Sequence, residues 1–256
     1  MHEFISIAFL AVLPLLAASP IWFAFHLPSE YSIWERILYG PCYCVARILW
    51  RVEVIGGVHL AEAYPGGAVV VANHRCSLDP FFVQLAAGRR VHWMVAGEYF
   101  RNPIFGPVLR TFQAIPTNRS GSDNSAMKTA IRLASEGRFV GMFPEGRINR
   151  TPKPLLSIRP GAAMIASRAG VQLLPCWIDG APSGWAVWSG LFMASHVKIF
   201  VGKPVISGAS DAESPEVLIQ RAMQTSLALG GHSRGHVEMV GTKSHRPTKY
   251  RDSHST

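Results

Sequence analysis

Short runs of apolar, often β-branched residues alternate with amphipathic segments through most of this chain, and no other feature constrains the fold as strongly. The run AVVVA within residues 66–74 is typical of a fully buried strand. Similar strand-like runs occupy residues 91–97, 138–143, 171–178 and 196–202. Segments with helical periodicity occupy residues 77–87, 123–137, 159–170 and 214–230. Strands that alternate with helices predict an α/β domain with a mixed or parallel sheet flanked by helices.

Capping and helix-breaking residues refine the ends of these elements. Ser77 is predicted to be the N-cap of the helix that follows the first strand. Pro160 and Gly170 are predicted to lie at the two ends of a later short helix. Pro175 interrupts an apolar strand, and a residue without an N–H group suits an edge strand or a closely packed strand end.

The same pattern divides the chain into three parts. The alternating segments cover residues 52–229, which are predicted to form one domain without internal repeats. Residues 230–256 are polar, with five Lys or Arg and four His, and are predicted to form a disordered tail. Residues 1–51 are predicted to form hydrophobic and interfacial helices that attach the protein to a membrane.

The N-terminal segment carries this membrane prediction because residues 4–27 contain no charged side chain. As a helix they would span roughly 36 Å, against a hydrocarbon core of about 30 Å. The next segment mixes Trp and Tyr with arginines, as is typical of the headgroup region. We therefore expect a membrane-associated protein whose main domain faces the cytoplasm, with the helix either spanning the bilayer or lying on it. A buried core helix is the alternative; a signal peptide is disfavoured because MHEF lacks basic residues.

Composition narrows the choice of partners. The 256 residues are 48% hydrophobic and only 16% charged, and the formal net charge is +9. A basic, apolar chain favours anionic surfaces, which are phospholipid headgroups or nucleic acid. Because Lys and Arg are scattered rather than clustered on one element, we expect membrane phospholipid and no nucleic acid. The four cysteines form no CxxC pair, which disfavours a zinc ribbon and a disulfide scaffold. Nothing in the pattern specifies an oligomeric state.

His74 and Asp79 stand out at the end of the first long strand. On a continuous helix a separation of five residues turns about 500°, which leaves the side chains roughly 140° apart. The pair comes together only if the strand ends and the chain turns before a helix begins. Such a turn would bring the imidazole and the carboxylate within hydrogen-bonding distance.

Three further stretches place polar residues or proline where the pattern predicts that elements end. Each stretch taken singly has an ordinary structural explanation, such as a solvated strand end. The residues concerned are Arg119 in FQAIPTNRS, then Phe143, Pro144, Glu145, Gly146 and Arg147 in GMFPEGRINR, and Pro175 in LLPCWIDG.

Taken in order, these stretches resemble the four motifs of the 1-acylglycerol-3-phosphate O-acyltransferase family of glycerolipid acyltransferases. The N-H-x4-D motif is present as Asn73, His74 and Asp79. The second motif ends at Arg119, the F-P-E-G motif is intact at residues 143–146, and Pro175 matches the proline of the fourth. The resemblance covers roughly residues 50–229 and implies the glycerolipid acyltransferase fold.

The chain departs from the family pattern at several positions. Gln113 and Asn118 replace the usual glycine and aspartate of the second motif. Arg147 and Ile148 follow F-P-E-G where the family usually has Thr-Arg, and relatives that act on other lysophospholipids also read F-P-E-G-R-I. Gly97 stands where the family often has a lysine that helps to hold a phosphate. The departures therefore concern the acceptor more than the chemistry.

The resemblance implies an enzyme that moves a fatty acyl group from a thioester to the free hydroxyl of a lysophospholipid. The expected acceptor is 1-acylglycerol-3-phosphate, which would give phosphatidic acid. Another lysophospholipid or an amine-containing lysolipid is the alternative acceptor. The donor would be acyl-CoA or acyl-carrier protein, and the motifs require neither a cofactor nor a metal.

The resemblance also implies roles for the motif residues. His74 would act as general base on the acceptor hydroxyl, and Asp79 would fix its tautomer and stabilise the imidazolium. Arg119 and Arg147 would bind the acceptor phosphate, because a guanidinium matches two phosphate oxygens at once. Glu145 and Gly146 would lie beside the acceptor glycerol. The supporting residues would be Asn73, Phe143, Pro144 and Pro175.

Other interpretations stay open at this point. Cys76 lies between His74 and Asp79, so that a thiol nucleophile or a metal site formed by the three residues has to be considered. Three ligands so close in sequence disfavour the metal site, and an isolated cysteine more often packs as a small apolar residue. A non-catalytic lipid-binding protein is a further alternative. It is disfavoured because lipid binding alone would not require His74, Asp79 and Glu145 together.

Overall fold

A mixed β-sheet with helices on both faces forms the framework of the protein. The computed structural model describes residues 31–118, 124–182, 193–206 and 214–230. The strands in these ranges are β1 (Glu53–Ile55), β2 (Ala68–Ala72), β3 (Val91–Ala96), β4 (Ile115–Thr117), β5 (Phe139–Met142), β6 (Gln172–Asp179), β7 (Lys198–Val201) and β8 (Val205–Ile206). The α-helices are α1 (Ile33–Ile48), α2 (Val58–Ala63), α3 (Asp79–Ala87), α4 (Phe105–Thr111), α5 (Asn124–Ser135), α6 (Gly161–Ala169) and α7 (Pro215–Leu229). Short 3₁₀ helices lie at Tyr64–Gly66 and Gly97–Arg101.

The most buried strand, β2, lies in the middle of the sheet. The strand order is β1-β7-β6-β2-β5-β3-β4, and β8 also pairs with β6. β6 runs antiparallel to β7 and β8, whereas the other pairs are parallel. Every residue of β2 is buried, as expected for a strand that is covered by helices on both faces. The predicted α/β fold with a mixed sheet flanked by helices is therefore confirmed.

Two hydrophobic clusters fill the space between the sheet and its helices. Ala68, Val70 and Ala72 of β2 face the cluster that contains buried residues of α2 and α3. Val69 and Val71 face the opposite cluster, which contains residues of α5, α6 and α7. This alternation follows from the two-residue period of a strand.

Helix α1 is anchored to the sheet by a buried ion pair. Ser32 caps the helix, since its hydroxyl accepts from the Glu35 amide while the Glu35 carboxylate accepts from the Ser32 amide. The same carboxylate accepts from Arg90, just before β3, at 2.6–3.0 Å. Both side chains are almost fully buried, and breaking such a pair by removing one partner typically costs about 3–5 kcal/mol.

The predicted membrane helix at residues 4–27 lies outside the described residues. Within the ranges given above, no helix is both long enough and apolar enough to cross a membrane. Arg119 also lies outside the described part of the chain, as do residues 231–256 of the tail predicted at residues 230–256.

The expected N-cap at Ser77 is wrong. Helix α3 begins at Asp79 after Leu78, and no side chain caps it. The turn before the helix is closed instead by Asp79 itself, whose carboxylate accepts the amides of Arg75 and Cys76. Helices α5, α6 and α7 lie within two residues of their predicted bounds, and Ser214 caps α7 through the amide of Val217.

The expectation that Pro175 lies at an edge strand or a strand end is also wrong. Strand β6 is interior, and Pro175 lies in its middle. The register changes beside Pro175. Cys176 lies opposite Val201 of β7, whereas Leu173 lies opposite Val205 of β8, so the segment that joins β7 to β8 has one extra residue relative to β6. The Pro175 carbonyl accepts from the Gly202 amide at 2.8 Å on this side. The missing N–H therefore falls at a bulge in the ladder, where it is tolerated.

Candidate active site

The candidate site lies where the neighbouring strands β2 and β5 end. The strands are parallel, with Val71 opposite Met142, so the segments that follow them leave the sheet side by side. The first segment carries Asn73 and His74, and the second carries Phe143, Pro144 and Glu145. The carboxyl edge of a parallel sheet is where α/β proteins commonly bind ligands. The fold thus brings two predicted motifs together that are about 70 residues apart in the sequence.

Asn73 fixes the point at which the chain leaves the sheet. Its side-chain amide donates to the Ile178 carbonyl at 2.9 Å, and its side-chain oxygen accepts from the Ile178 amide at 2.7 Å. The buried Asn73 side chain therefore replaces one backbone pair of the β2–β6 ladder. Its backbone is thereby free to turn away and place His74 above the sheet.

The predicted contact between His74 and Asp79 is confirmed. Asp79 is fully buried at the first position of α3, and its Oδ2 lies 3.0 Å from Nδ1 of His74. The same oxygen accepts from the amides of Arg75 and Cys76 at 2.6 and 2.7 Å. Because this oxygen acts as an acceptor, the neutral form of the imidazole carries its proton on Nδ1 and its lone pair on Nε2. The His74 side chain is 16% exposed, so a substrate can reach it.

The imidazole of His74 is stacked against two further aromatic rings. Its centroid lies 3.9 Å from that of Phe143, with an angle of 10° between the ring planes. Phe143 stacks in turn on Trp93 of β3, at 4.9 Å and 14°. Gly141 makes room for this arrangement, because a Cβ atom there would lie 2.7 Å from the Trp93 ring. The stacked rings fix the plane of the imidazole, and the hydrogen bond to Asp79 fixes its rotation within that plane.

Glu145 connects the second segment to the first. One of its carboxylate oxygens accepts from the His74 amide and the other from the Leu156 amide, both at 2.8 Å. Burial raises the pKa of Glu145, and the two amide donors oppose that shift. The His74 carbonyl is bound as well, since it accepts from the Asn149 amide at 2.6 Å. Both backbone groups of His74 are therefore fixed by the loop that follows β5. A contact of Glu145 with the acceptor stays a prediction.

Several cations surround this loop. Arg147 is exposed and makes no hydrogen bond or ion pair within the described ranges. The guanidinium of Arg159 lies against Gly146, where a Cβ atom would be 2.9 Å from its Cζ. Gly146 has φ +67°, a conformation that favours glycine. Arg75 instead donates to the carbonyls of Thr151 and Lys153 and so holds the loop in place.

The environment of Cys76 disfavours a nucleophilic thiol. The side chain is buried, and its sulfur accepts from the Leu78 amide at 3.3 Å. Burial, with a smaller effect of the nearby Asp79 carboxylate, raises the pKa of Cys76 to about 11. Because the thiolate is the reactive form, this thiol is unreactive near neutral pH.

Three residues of the site were missed from the sequence. Trp93, Asn149 and Arg159 each lie in a segment whose pattern predicts only a strand, a loop or the start of a helix. The Asn149–Thr151 spacing was a usable signal, since the Asn149 side chain accepts from the Thr151 amide in a local turn. Trp93 and Arg159 depend on tertiary contacts that no local pattern indicates.

Known proteins are similar to this chain over most of its described length. A family model described as Acyltransferase matches residues 51–179. The 1-acyl-sn-glycerol-3-phosphate acyltransferase of Bacillus subtilis (strain 168) is 31% identical over 170 residues, which cover 64% of this chain and 81% of that protein. The N-acylphosphatidylethanolamine synthase of Arabidopsis thaliana is 29% identical over 169 residues, which cover 58% and 60%.

A solved structure has the same fold. The crystal structure of the 1-acyl-sn-glycerophosphate acyltransferase PlsC from Thermotoga maritima matches with a TM-score of 0.62 over 89% of this chain and 93% of that chain. The sequence identity in this comparison is 19%, so the likeness concerns the fold.

Proposed function

The chain belongs to the acyltransferase family that acts on lysophospholipids, and from this premise we propose that it esterifies the free hydroxyl of 1-acylglycerol-3-phosphate to give phosphatidic acid. The acyl donor in this proposal is a thioester, either acyl-CoA or acyl-carrier protein. The donor is a substrate, and the proposed reaction needs no cofactor or metal. The observation that carries the proposal is the buried Asp79 carboxylate 3.0 Å from Nδ1 of a partly exposed His74.

His74 is the general base of the proposed reaction. Its Nε2 removes the proton from the acceptor hydroxyl while that oxygen attacks the thioester carbonyl carbon. The new C–O ester bond forms, the C–S bond breaks, and the leaving sulfur takes the proton from the imidazolium to become a thiol. Asp79 holds the tautomer that leaves Nε2 unprotonated, and it stabilises the imidazolium between the two proton transfers. The substrate hydroxyl takes the place of an enzyme nucleophile, so no acyl-enzyme is formed.

Arginines at the mouth of the site bind the acceptor phosphate in this proposal. Arg147 directly follows the F-P-E-G segment and has its guanidinium exposed. Arg159 lies against Gly146 of the same segment and supplies a second cation. Arg119 is proposed for the same role from the motif alone. A guanidinium bound to phosphate through two hydrogen bonds gives both affinity and orientation.

We also propose that the enzyme works at a membrane surface, with its catalytic domain facing the cytoplasm. The acceptor and the product both carry acyl chains that reside in the bilayer. Helix α1 supports this proposal because it exposes a row of large apolar side chains to solvent. They are Ile33, Trp34, Ile37, Leu38 and Ile48. The uncharged segment at residues 4–27 would add a hydrophobic anchor.

A different acceptor is the second candidate function. The Arabidopsis relative is named for a product with an amide-linked acyl chain, and this chain lacks the family lysine at Gly97. Both observations favour an amine-containing lysolipid over a phosphate-terminated one. The chemistry at His74 would be the same, because an amine must also lose a proton as it attacks.

A panel of acceptors tests the proposal. Purified enzyme is assayed with 1-acylglycerol-3-phosphate, lysophosphatidylethanolamine and lysophosphatidylcholine, and with both donor types. We expect the highest kcat/KM with 1-acylglycerol-3-phosphate. Arg147→Gln and Arg159→Gln should each lower that value roughly ten- to a hundredfold, mainly through the acceptor KM, because each removes a charge-assisted hydrogen bond.

Arg132→Gln is the matched control, since Arg132 is exposed on α5 and pairs with Glu136. It should leave all kinetic constants unchanged. If both site variants had the wild-type kcat/KM with 1-acylglycerol-3-phosphate, these arginines would not be the groups that bind the phosphate. A higher kcat/KM with lysophosphatidylethanolamine would favour the second candidate.

A further inference from the structure

Three rings lie almost parallel in the site and form a column from the sheet to the base. The column runs from Trp93 on β3 through Phe143, at the end of β5, to His74. Adjacent ring centroids are 4.9 and 3.9 Å apart, and the planes differ by 14° and 10°. The family motifs imply a catalytic role for His74 and only a supporting role for Phe143. Trp93 lies outside the motifs.

The stacking of His74 on Phe143 suits a charged imidazole better than a neutral one. Two neutral rings avoid direct face-to-face overlap, because their negative faces repel, and they normally adopt offset or edge-on arrangements. The rings of Phe143 and His74 are nearly parallel, and their centroid distance of 3.9 Å is shorter than the roughly 4.5–7 Å usual for aromatic pairs. A cation over the face of an aromatic ring is instead attracted by the ring quadrupole. The close stacking of His74 on Phe143 therefore becomes more favourable when His74 carries a positive charge.

We propose that Phe143 and Trp93 form a π column that stabilises the positive charge which His74 acquires during acyl transfer. The proposal rests on the proposed role of His74 as general base. That role requires the imidazolium only after the hydroxyl proton has moved to Nε2 and before it passes to the leaving sulfur. Stabilisation restricted to this interval lowers the barrier without tightening the binding of either substrate. Phe143 and Trp93 act through His74 and are positioning residues.

The column is distinct from the charged groups around His74. The Asp79 carboxylate contacts the edge of the ring at Nδ1, and Glu145 accepts from the backbone amide of His74. The guanidinium of the adjacent Arg75 donates to the carbonyls of Thr151 and Lys153. The Cys76 thiol stays protonated because its pKa is about 11. Phe143 is the group that covers a face of the imidazole.

Trp93 contributes its ring rather than its N–H group. It is 94% buried, since its relative exposure is 6%, and its Nε1 makes no hydrogen bond within the described part of the chain. A buried indole normally has a partner for this group. The absence of a side chain at Gly141 lets the indole lie flat on β5, directly beneath Phe143. The sheet thus provides a fixed base for the column.

Fluorination of Phe143 tests the proposal without changing the packing. Fluorine withdraws electron density from the ring face and weakens its attraction for a cation, while the ring keeps nearly the same shape. Phenylalanine analogues with increasing numbers of fluorine atoms are placed at position 143, and single-turnover acyl transfer is measured. We expect the rate constant to fall with each added fluorine, by about two- to thirtyfold in all, with both KM values unchanged. The same analogues at Phe200, which is buried on the opposite face of the sheet, are the control.

Substitution of Trp93 gives an independent measurement. Trp93→Phe retains a stacked ring and loses no hydrogen bond, so kcat should stay near that of the wild type. Trp93→Leu removes the ring and should lower kcat while leaving both KM values unchanged. If all the fluorinated proteins reacted at the same rate while His74→Ala was inactive, the π column would be overturned. The role of His74 as general base would still stand. An active His74→Ala variant would instead overturn the proposed function.

Discussion

At the scale of single residues, Asp79 determines how the site is built. One oxygen of its buried carboxylate receives the His74 ring and the amides of Arg75 and Cys76. The other oxygen makes no hydrogen bond within the described ranges. The turn that positions His74 is therefore closed by the same atom that orients its imidazole. Any change that moves this carboxylate alters the loop and the base together.

The chemistry assigned to His74 leaves no role for the thiol beside it. Cys76→Ala should retain nearly the activity of the wild type, because the alternative nucleophile is buried and protonated. The raised pKa of about 11 also predicts how Cys76 is alkylated. The thiolate fraction, and with it the rate, should rise about tenfold per pH unit from pH 7 to 10 without a plateau. Peptide-resolved mass spectrometry after timed alkylation measures this rate separately from the other cysteines.

A plateau in the alkylation rate below pH 9 would show that the thiol ionises easily. If Cys76→Ala also lost activity a hundredfold, the thiol nucleophile would have to be reconsidered. Cys176 serves as the internal control, because complete burial raises its pKa to about 12.

The residues that could be predicted from the sequence are those whose contact is local. His74 and Asp79 are five residues apart, and helix geometry alone predicts the turn between them. Trp93 and Arg159 could not be found in this way. Each reaches the site through the pairing of distant strands or through the loop after β5, and a strand pattern does not state which strands are neighbours. The role of Glu145 as a bridge between two loops was hidden for the same reason.

At the scale of elements, the end of helix α4 explains one departure from the family pattern. Gln113 follows the C-cap residue Phe112 and has φ +52°. The Gln113 amide donates to the Arg110 carbonyl, and the Ala114 amide donates to the Leu109 carbonyl. This is the Schellman arrangement, in which the residue at Gln113's position is usually glycine. The family glycine thus has a conformational reason, and this chain adopts the same turn with a strained glutamine.

Gln113→Gly should therefore stabilise the protein. A left-handed conformation costs a residue with a Cβ atom about 1–2 kcal/mol, and glycine loses roughly 0.5–1 kcal/mol through its freedom in the unfolded chain. The net gain should be about 0.5–1 kcal/mol, visible as a higher Tm in thermal unfolding. Gln113→Ala is the control, because alanine keeps the Cβ atom and should give no gain. A Tm below that of the wild type for Gln113→Gly would mean that the glutamine side chain makes a larger contribution than the strain.

Elements with strong periodicity could be predicted, whereas short ones could not. The long buried strand β2 and the helices α5, α6 and α7 lie close to their expected bounds. Strands β1 and β4 have three residues each and contain too little pattern to be recognised. Pro175 was misplaced because strand order decides which strand is an edge, and that order is a property of the whole sheet.

At the scale of the whole molecule, the exposed apolar side chains of α1 and the basic net charge are the features on which the proposed membrane orientation rests. The buried Glu35–Arg90 pair fixes α1 to the catalytic domain. The exposed Trp34 and Leu38 therefore hold a constant position relative to the site. In the proposed membrane-bound orientation, the enzyme would take its acceptor from the bilayer without transferring the whole acyl chain into water.

We predict that the full-length protein binds phospholipid vesicles and is not released by high salt, because hydrophobic contacts are not screened as charges are. Deleting residues 1–27, or changing Trp34 and Leu38 together to Ser, should weaken vesicle binding in a sedimentation assay. Activity on vesicles should fall more than activity on a short-chain soluble acceptor. The matched control changes the exposed Val217 and Leu229 of α7 to Ser. Full-length protein that stays in the supernatant at low salt would contradict the anchor.

The central claim is that His74, oriented by Asp79, is the base for acyl transfer, and one comparison of variants tests it most directly. The kcat of His74→Ala and Asp79→Asn is measured with 1-acylglycerol-3-phosphate, and circular dichroism establishes that both variants are folded. General-base catalysis commonly contributes 10²- to 10⁴-fold, so His74→Ala should lose at least a hundredfold in kcat with an unchanged donor KM. Asp79→Asn should also lose activity, because an amide does not hold the same tautomer. A folded His74→Ala enzyme with a kcat within tenfold of the wild type would contradict the account.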